Sequence, residues 1–239
     1  FIKFLYKLYK CHFGSISFAQ QKKQTSRILV VFDDSFSMFG LWQSGQKIDV
    51  AKRLLINFID SLKDTPDLEI ALRSFGAHSP LQPKRDCEDS KLEVGFASVK
   101  ENGPKFKAVL KPMYPLGTTP IAHSLGKCAE DFPNKPGRNI IILITDGIDE
   151  CGGDPCAVSF QLQKKGIILK PFIIGIGLSK VFAEQMGCIG KFFDAGSEDN
   201  FKNILNIVVS QALNNTTAQV NLLDTGGKPS ETDVDMTFY

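Results

Sequence analysis

Two apolar runs in this chain, Arg27 to Phe32 and Asn139 to Thr145, each end directly on an aspartate, Asp33 and Asp146. A continuous run of aliphatic residues fits a strand buried on both faces, the situation in a parallel sheet covered by helices on each side. A carboxylate at the end of such a strand lies at the carboxyl edge of the sheet, where open α/β sheets bind their ligands. The rest of the chain alternates to match. Lys47 to Lys63 places Ile48, Ala51, Leu54, Leu55, Phe58, Ile59 and Leu62 at helical spacing, and Pro66 follows as a stop. Leu68 to Phe75 alternates as a strand with one wetter face, suited to a place nearer a sheet edge. Further helices are predicted over Lys105 to Lys111, Thr119 to Phe132, Pro155 to Lys165, Ser179 to Met186 and Glu198 to Leu213. Further strands are predicted over Ile167 to Ile176 and Lys191 to Asp194. This pattern predicts an α/β fold over residues 26–213: doubly wound, Rossmann-like, with a mostly parallel central sheet and helices on both faces.

The flanks differ. Residues 1–19 combine Lys3, Lys7 and Lys10 with a short apolar stretch ending in Ser17-Phe18-Ala19, the pattern of a secretory signal peptide cut after Ala19; a surface helix is the plainer alternative. After Asn215, Ala218 to Leu223 and Asp233 to Tyr239 alternate around the turn-rich Asp224 to Pro229. That predicts a β-hairpin within 217–239, either the start of a second, incomplete all-β domain or a hairpin packed on the first. No segment reaches the ~18 apolar residues of a membrane span. A net charge of +2, with no dense Lys/Arg stripe, gives no argument for nucleic acid as a partner. With 43% hydrophobic and 23% charged residues, the chain has the means to bury a core. Cys151 and Cys156 flank Gly152-Gly153-Asp154-Pro155, a turn able to bring two thiols within bridging distance of each other in an exported protein. Cys128 lies among helix formers and reads as a small buried hydrophobe; the partners of Cys87 and Cys188 are not readable.

Asp33 opens Asp33-Asp-Ser35-Phe-Ser37, so an acid and two hydroxyls recur at every second position. A turn leaving the strand can aim those oxygens inward, and such a hard donor set suits Mg2+, Mn2+ or Ca2+. Taken alone, the pentapeptide is as well explained by a helix cap or polar turn. In order along the chain, however, come Gly117-Thr118-Thr119-Pro120-Ile121 and then Thr145-Asp146-Gly147. The three pieces together resemble the metal-ion-dependent adhesion site (MIDAS) of von Willebrand factor type A (vWA) domains. That resemblance implies that Ser35 and Ser37 bind a metal directly, that Asp33 and Asp146 hold it directly or through water, and that Thr119 moves on or off it. It also implies that an acidic residue of a partner protein fills the open coordination position. A second resemblance, carried by Thr145-Asp-Gly-Ile-Asp-Glu-Cys151-Gly-Gly-Asp-Pro-Cys156, is to a bacterial, often exported subfamily. Phe75-Gly76-Ala77-His78 and Asp86-Cys87-Glu88-Asp89 are partial matches to two further motifs of that subfamily, with Phe75 expected to be a packed aromatic and His78 a solvated loop residue.

Other constellations are weaker. Asp149, Glu150 and Asp154 read as surface charge, or else as a second cation site or a base for metal-assisted hydrolysis. His78 and His123 have no nucleophile at a recognisable spacing, and no phosphate-binding or dinucleotide loop is present. The expectation is therefore a non-enzymatic, exported binding module, periplasmic, cell-surface or secreted. The alternative is an accessory vWA subunit of an intracellular ATP-driven or metal-inserting complex. Specificity is expected in Phe39 to Gln46, Gly76 to Glu93 and Ile148 to Pro155, where Trp42 is either an exposed hot spot or packed on the first helix.

Overall fold

The computed structural model describes residues 24–168, 171–177 and 180–213; the expected signal peptide and closing hairpin lie outside these residues. The apolar runs form the middle of a six-stranded sheet. β1 (Ser26–Asp33) pairs in parallel with β4 (Leu68–Phe75) on one side and with β6 (Arg138–Thr145) on the other. β7 (Phe172–Ile176) and β8 (Lys191–Ala195) continue in parallel beyond β6, and β5 (Ser90–Ser98) closes the other edge antiparallel to β4. The order β5-β4-β1-β6-β7-β8 makes β1 the point from which the chain winds first one way and then the other. The doubly wound fold read from the sequence is present.

Alternation along β1 assigns its two faces. Ile28, Val30 and Phe32 pack with α1 (Lys47–Ser61), α2 (Val99–Leu110) and α6 (Glu198–Leu213). Leu29 and Val31 pack with α3 (Ile121–Asp131) and α4 (Pro155–Lys164). Cys128 is the free, buried thiol on this second face, as expected, with burial pushing its pKa up. A short α5 (Lys180–Met186) and a small ribbon of β2 (Leu41–Trp42) and β3 (Gly45–Gln46) complete the elements.

Four local expectations need correction. β4 lies near the edge as expected, one strand in, but it has no wetter face. Its charges are neutralised: Arg73 forms a two-pronged bond to Asp131 of α3 at 2.7 Å on each prong, and Glu69 pairs with Arg27 at 2.8 Å. The edge is β5, for which no strand is predicted from the sequence and whose first residues fall in the Gly76 to Glu93 segment. Its apolar Leu92, Val94 and Phe96 stand at period two, but the register with β4 shifts twice, between Ile70 and Leu72 and between Leu72 and Arg73, so Val94 joins one face and Leu92 and Phe96 the other. Helix α2 starts at Val99, not Lys105. Ser98 caps it by accepting from the backbone N–H of Glu101 at 3.3 Å, and the helix runs through Gly103 and Pro104. Asn102 fixes this turn by donating to the carbonyls of Ile70 and Gly95, each at 2.7 Å, which satisfies backbone oxygens beside the shifted register. Finally, β7 begins at Phe172, not Ile167, directly after Pro171.

The Arg73–Asp131 pair carries little exposure on either side chain, 7% and 5%. Asp131→Ala leaves a buried guanidinium without its partner and should cost about 3–5 kcal/mol. Chemical denaturation checks this; the charge-free double variant Arg73→Met/Asp131→Leu should regain most of the loss.

Candidate functional site

β1 and β6 are neighbours, so Asp33 and Asp146 emerge side by side at the switch point of the sheet. Asp33 is fully buried. Its Oδ1 accepts from the backbone N–H of Ser35 at 2.8 Å, and its Oδ2 accepts from the hydroxyl of Thr145 at 2.5 Å. Asp146 accepts from the Ser37 hydroxyl at 2.6 Å on Oδ1 and from the Lys47 ammonium at 2.7 Å on Oδ2. The hydroxyls of Ser35 and Ser37 lie 3.1 Å apart. Thr119 completes the group: a Cβ placed on Gly147 would stand 3.9 Å from its Oγ1 and 4.0 Å from the Oγ of Ser37. All five residues singled out from the sequence are thus brought together. Ser37 is exposed to solvent, while the other four are buried.

The pair is electrostatically strained. Burial pushes the Asp33 carboxyl from its ordinary 3.8 to about 7, and the charge of Asp146 adds to that, against the hydrogen bonds from Ser35 and Thr145. Asp34, the neighbour that lacks the hydroxyls at +2 and +4, is also fully buried. Neither of its carboxylate oxygens has a hydrogen-bond partner. Burial raises it to about 7 as well; Lys52 opposes the shift, and Asp33, Asp89 and Glu93 add to it.

Three loops meet behind the site. The backbone N–H groups of Asp34 and Phe36 donate to the carbonyls of Phe75 and Gly117, each at 2.9 Å, and Gly117 N–H donates to the Gly76 carbonyl at 2.8 Å. Gly76 has φ +73°, and a Cβ there would lie 2.7 Å from the Thr118 carbonyl and 2.8 Å from the Ser35 Cα, so both conformation and space demand glycine. His78 is the solvated loop residue expected, and it is also held by two carboxylates. Its ring bridges Asp89 at 3.0 Å and Glu93 at 2.8 Å, and Asp89 also accepts the backbone N–H groups of His78 and Ser79, each at 2.9 Å. Phe75 is the packed aromatic expected of it.

No family model matches the chain. It is 32% identical over 200 residues to the uncharacterized protein YwmD of Bacillus subtilis strain 168, covering 79% of this chain and 87% of that protein. The chain belongs to the YwmD family. Among solved structures, the pilus adhesin SpaC of Lactobacillus rhamnosus GG superposes with a TM-score of 0.66 at 15% identity, over 81% of this chain and 31% of SpaC. Proximal thread matrix protein 1 of the mussel byssus, in a structure with a zinc-occupied MIDAS motif, superposes with a TM-score of 0.59 at 22% identity, over 80% of this chain and 46% of that protein. The chain therefore spans about a third of SpaC and under half of the byssus protein, and these likenesses show the fold, which is vWA-like.

The cysteines pair differently from the expectation that Cys151 and Cys156 bridge each other. Cys151 bonds to Cys87, tying the loop after Asp146 to the His78 loop, and Cys156 bonds to Cys188. The Gly-rich turn instead wraps Asp149, which accepts the backbone N–H groups of Ala122, Cys151 and Gly153 at 2.8, 2.9 and 3.0 Å. Glu150 accepts the Thr118 hydroxyl at 2.8 Å, and Asp154 caps α4 by accepting from Ala157 at 2.9 Å. Asp149 and Asp154 thus hold backbone and Glu150 a hydroxyl; Glu150 and Asp154 are exposed, as expected of surface charge, while Asp149 is half-buried. Trp42 is 8% exposed and stacks edge-on to Phe201 of α6, so it is core and not a hot spot. The exposed aromatics at the rim are Phe36 and Tyr114, at 55% and 60%, linked through Phe39 by ring contacts of 5.5 and 4.7 Å. Sequence reasoning missed them. The signal was Phe36 itself, between the two serines of the motif.

Folding raises the Asp34 pKa, so the stability this group contributes is fully present below pH 4 and is lost as pH rises to about 7. Asp34→Asn should leave the chelator-treated protein unchanged at pH 4 and stabilise it at pH 8 by on the order of 2 kcal/mol. Thermal melting at the two pH values checks both arms; equal effects at both would show that burial of the charge is not the cause.

Proposed function

We propose that this chain is a divalent-cation-dependent, adhesion-type protein-binding module, whose MIDAS captures an acidic group of a partner protein. The observation that carries the reading is the convergence of two carboxylates and three hydroxyls, from Asp33, Ser35, Ser37, Thr119 and Asp146, at the switch point of the sheet. The residues fit a hard cation. The donors are all oxygen, and two buried carboxylates repel one another with a single ammonium between them and neutrality. Among the described residues no cluster of three or more His, Cys, Asp or Glu side chains is placed to hold a metal, so a cation at this site would depend on the hydroxyls. Mg2+ suits that shell, with Mn2+ and Ca2+ as alternatives. Bound there, the cation would supply an electrophilic position for an incoming carboxylate.

The zinc-occupied MIDAS motif of the byssus protein and the pilus adhesin SpaC support this assignment on a shared fold. A binding role is favoured over hydrolysis because Asp149 and Glu150, the candidate bases, are committed to hydrogen bonds within the loop. Two disulfides favour an exported protein over an accessory subunit of an intracellular complex. Among the described residues no helix is long and apolar enough to cross a membrane.

Mn2+ at a hundredfold excess over its dissociation constant should stabilise the wild-type protein at pH 8 by about 2.7 kcal/mol. Asp33→Ala and the double variant Ser35→Ala/Ser37→Ala should show no such gain in thermal melting. Wild-type protein indifferent to Mn2+, Mg2+ and Ca2+ would sink the metal-dependent reading.

A further inference from the structure

Lys47 touches the site, and the resemblance gives it no role. It occupies the first position of α1, against the positive end of the helix dipole, where an acidic side chain is favoured and a lysine is not. What offsets that placement is its contact: Nζ lies 2.7 Å from Asp146 Oδ2, with the lysine side chain 19% exposed and the carboxylate fully buried. Two glycines lie along its stem, each with room for no more than an ordinary contact to it. A Cβ on Gly40 would stand 3.4 Å from both the Cε and the Nζ of Lys47, and one on Gly177 would stand 3.8 Å from its Cε. Asp146 divides its two oxygens between a hydroxyl and this ammonium, so the lysine is a fixed partner of the candidate metal ligand.

We propose that Lys47 is a built-in cation of the site, which weakens metal loading and strengthens capture of an incoming carboxylate. The inference rests on the metal-dependent reading above. Before loading, the ammonium satisfies Asp146 and repels a dication approaching the same carboxylate. After loading, Asp33 and Asp146 neutralise the dication, and the ammonium leaves the site with one positive charge in excess. A monoanionic carboxylate restores neutrality; a neutral hydroxyl or amide does not. Lys47 is therefore a positioning and selecting residue, acting beside the metal and not as a ligand to it.

The test compares wild type with Lys47→Met, which keeps the stem and removes the charge, and Lys47→Arg, which keeps a charge. Mn2+ affinity is measured by titration calorimetry, and acetate binding to the Mn2+-loaded protein by the loss of water-proton relaxation. Removing one charge a few ångströms away at intermediate dielectric should shift each affinity by about tenfold. Lys47→Met should bind Mn2+ more tightly and acetate more weakly, and Lys47→Arg should return both toward wild type. A general loosening of the site would weaken both, so shifts of the same sign, or no shift in a folded variant, overturn the proposal. If Lys47→Met does not fold, Lys47→Arg and Lys47→Gln carry the same comparison, charge kept against charge removed. If wild-type protein binds no Mn2+, the metal-dependent reading itself fails and the role of Lys47 falls with it.

Discussion

The structure depends on a repulsion. Parallel pairing of β1 with β6 forces Asp33 and Asp146 to leave the sheet next to each other, at a point where one is fully buried and the other nearly so. Two carboxylates in that position are costly unless something positive or hydrogen-bonding faces them. The neighbourhood is arranged around that demand. Thr145, Ser35, Ser37 and Lys47 each aim a donor at one of the four oxygens. These groups share the load without removing it, since burial and the charge of Asp146 still hold the Asp33 carboxyl above its ordinary pKa. The site is left short of positive charge, ringed by oxygens and open to solvent at Ser37, the features on which the proposal of a bound cation rests.

Preparation of this kind needs a backbone that does not relax away from it. Burial of the strands fixes the carboxyl edge, but the hydroxyls of the candidate site are on loops, and loops are ordinarily the mobile part of an α/β fold. Here each loop is anchored to another. The turn after β1 hydrogen-bonds to Phe75 and Gly117, Gly76 admits the close approach, and Asp89 gathers the start of the next loop through three bonds. The Cys87–Cys151 bridge then joins that loop to the one that carries Asp149 and Glu150, which in turn hold the start of α3 and Thr118. Thr119, the residue furthest in sequence from either apolar run, is placed by this chain of contacts.

The parts legible in the sequence are those set by local pattern. Arg27 to Phe32 and Asn139 to Thr145 announce buried parallel strands, and an Asp at the end of each announces where they point. The hydroxyls at alternate positions after Asp33 are equally local. What was not legible depends on partners distant in sequence. Arg73 makes β4 look wet because Asp131, 58 residues on, is invisible in a strand pattern. β5 keeps a period-two signal, but a register shift sends its apolar residues to opposite faces, so the pattern no longer implies one buried side. Cys151 has a nearer candidate in Cys156 than in Cys87, 64 residues away, and only the meeting of two loops decides between them. Lys47 reads as an ordinary helix-surface lysine until its 99-residue reach to Asp146 is seen.

The exposed aromatics follow from the same geometry. Phe36 lies between two serines whose hydroxyls face each other, that of Ser37 also reaching Asp146, and it opens a 3-10 turn, Phe36–Phe39, in which its own ring is left exposed. Its ring meets Phe39, which meets Tyr114, leaving an apolar ledge beside the oxygens instead of a polar rim. Burying the ring would require a cover that no described element supplies, and Phe36 remains 55% exposed. Trp42, the aromatic the sequence singled out, is by contrast held in the core by Phe201. The motif that sets the charge of the site therefore also sets its apolar edge. Phe36, adjacent in the chain to Ser35 and Ser37, puts that apolar edge directly beside the candidate metal position.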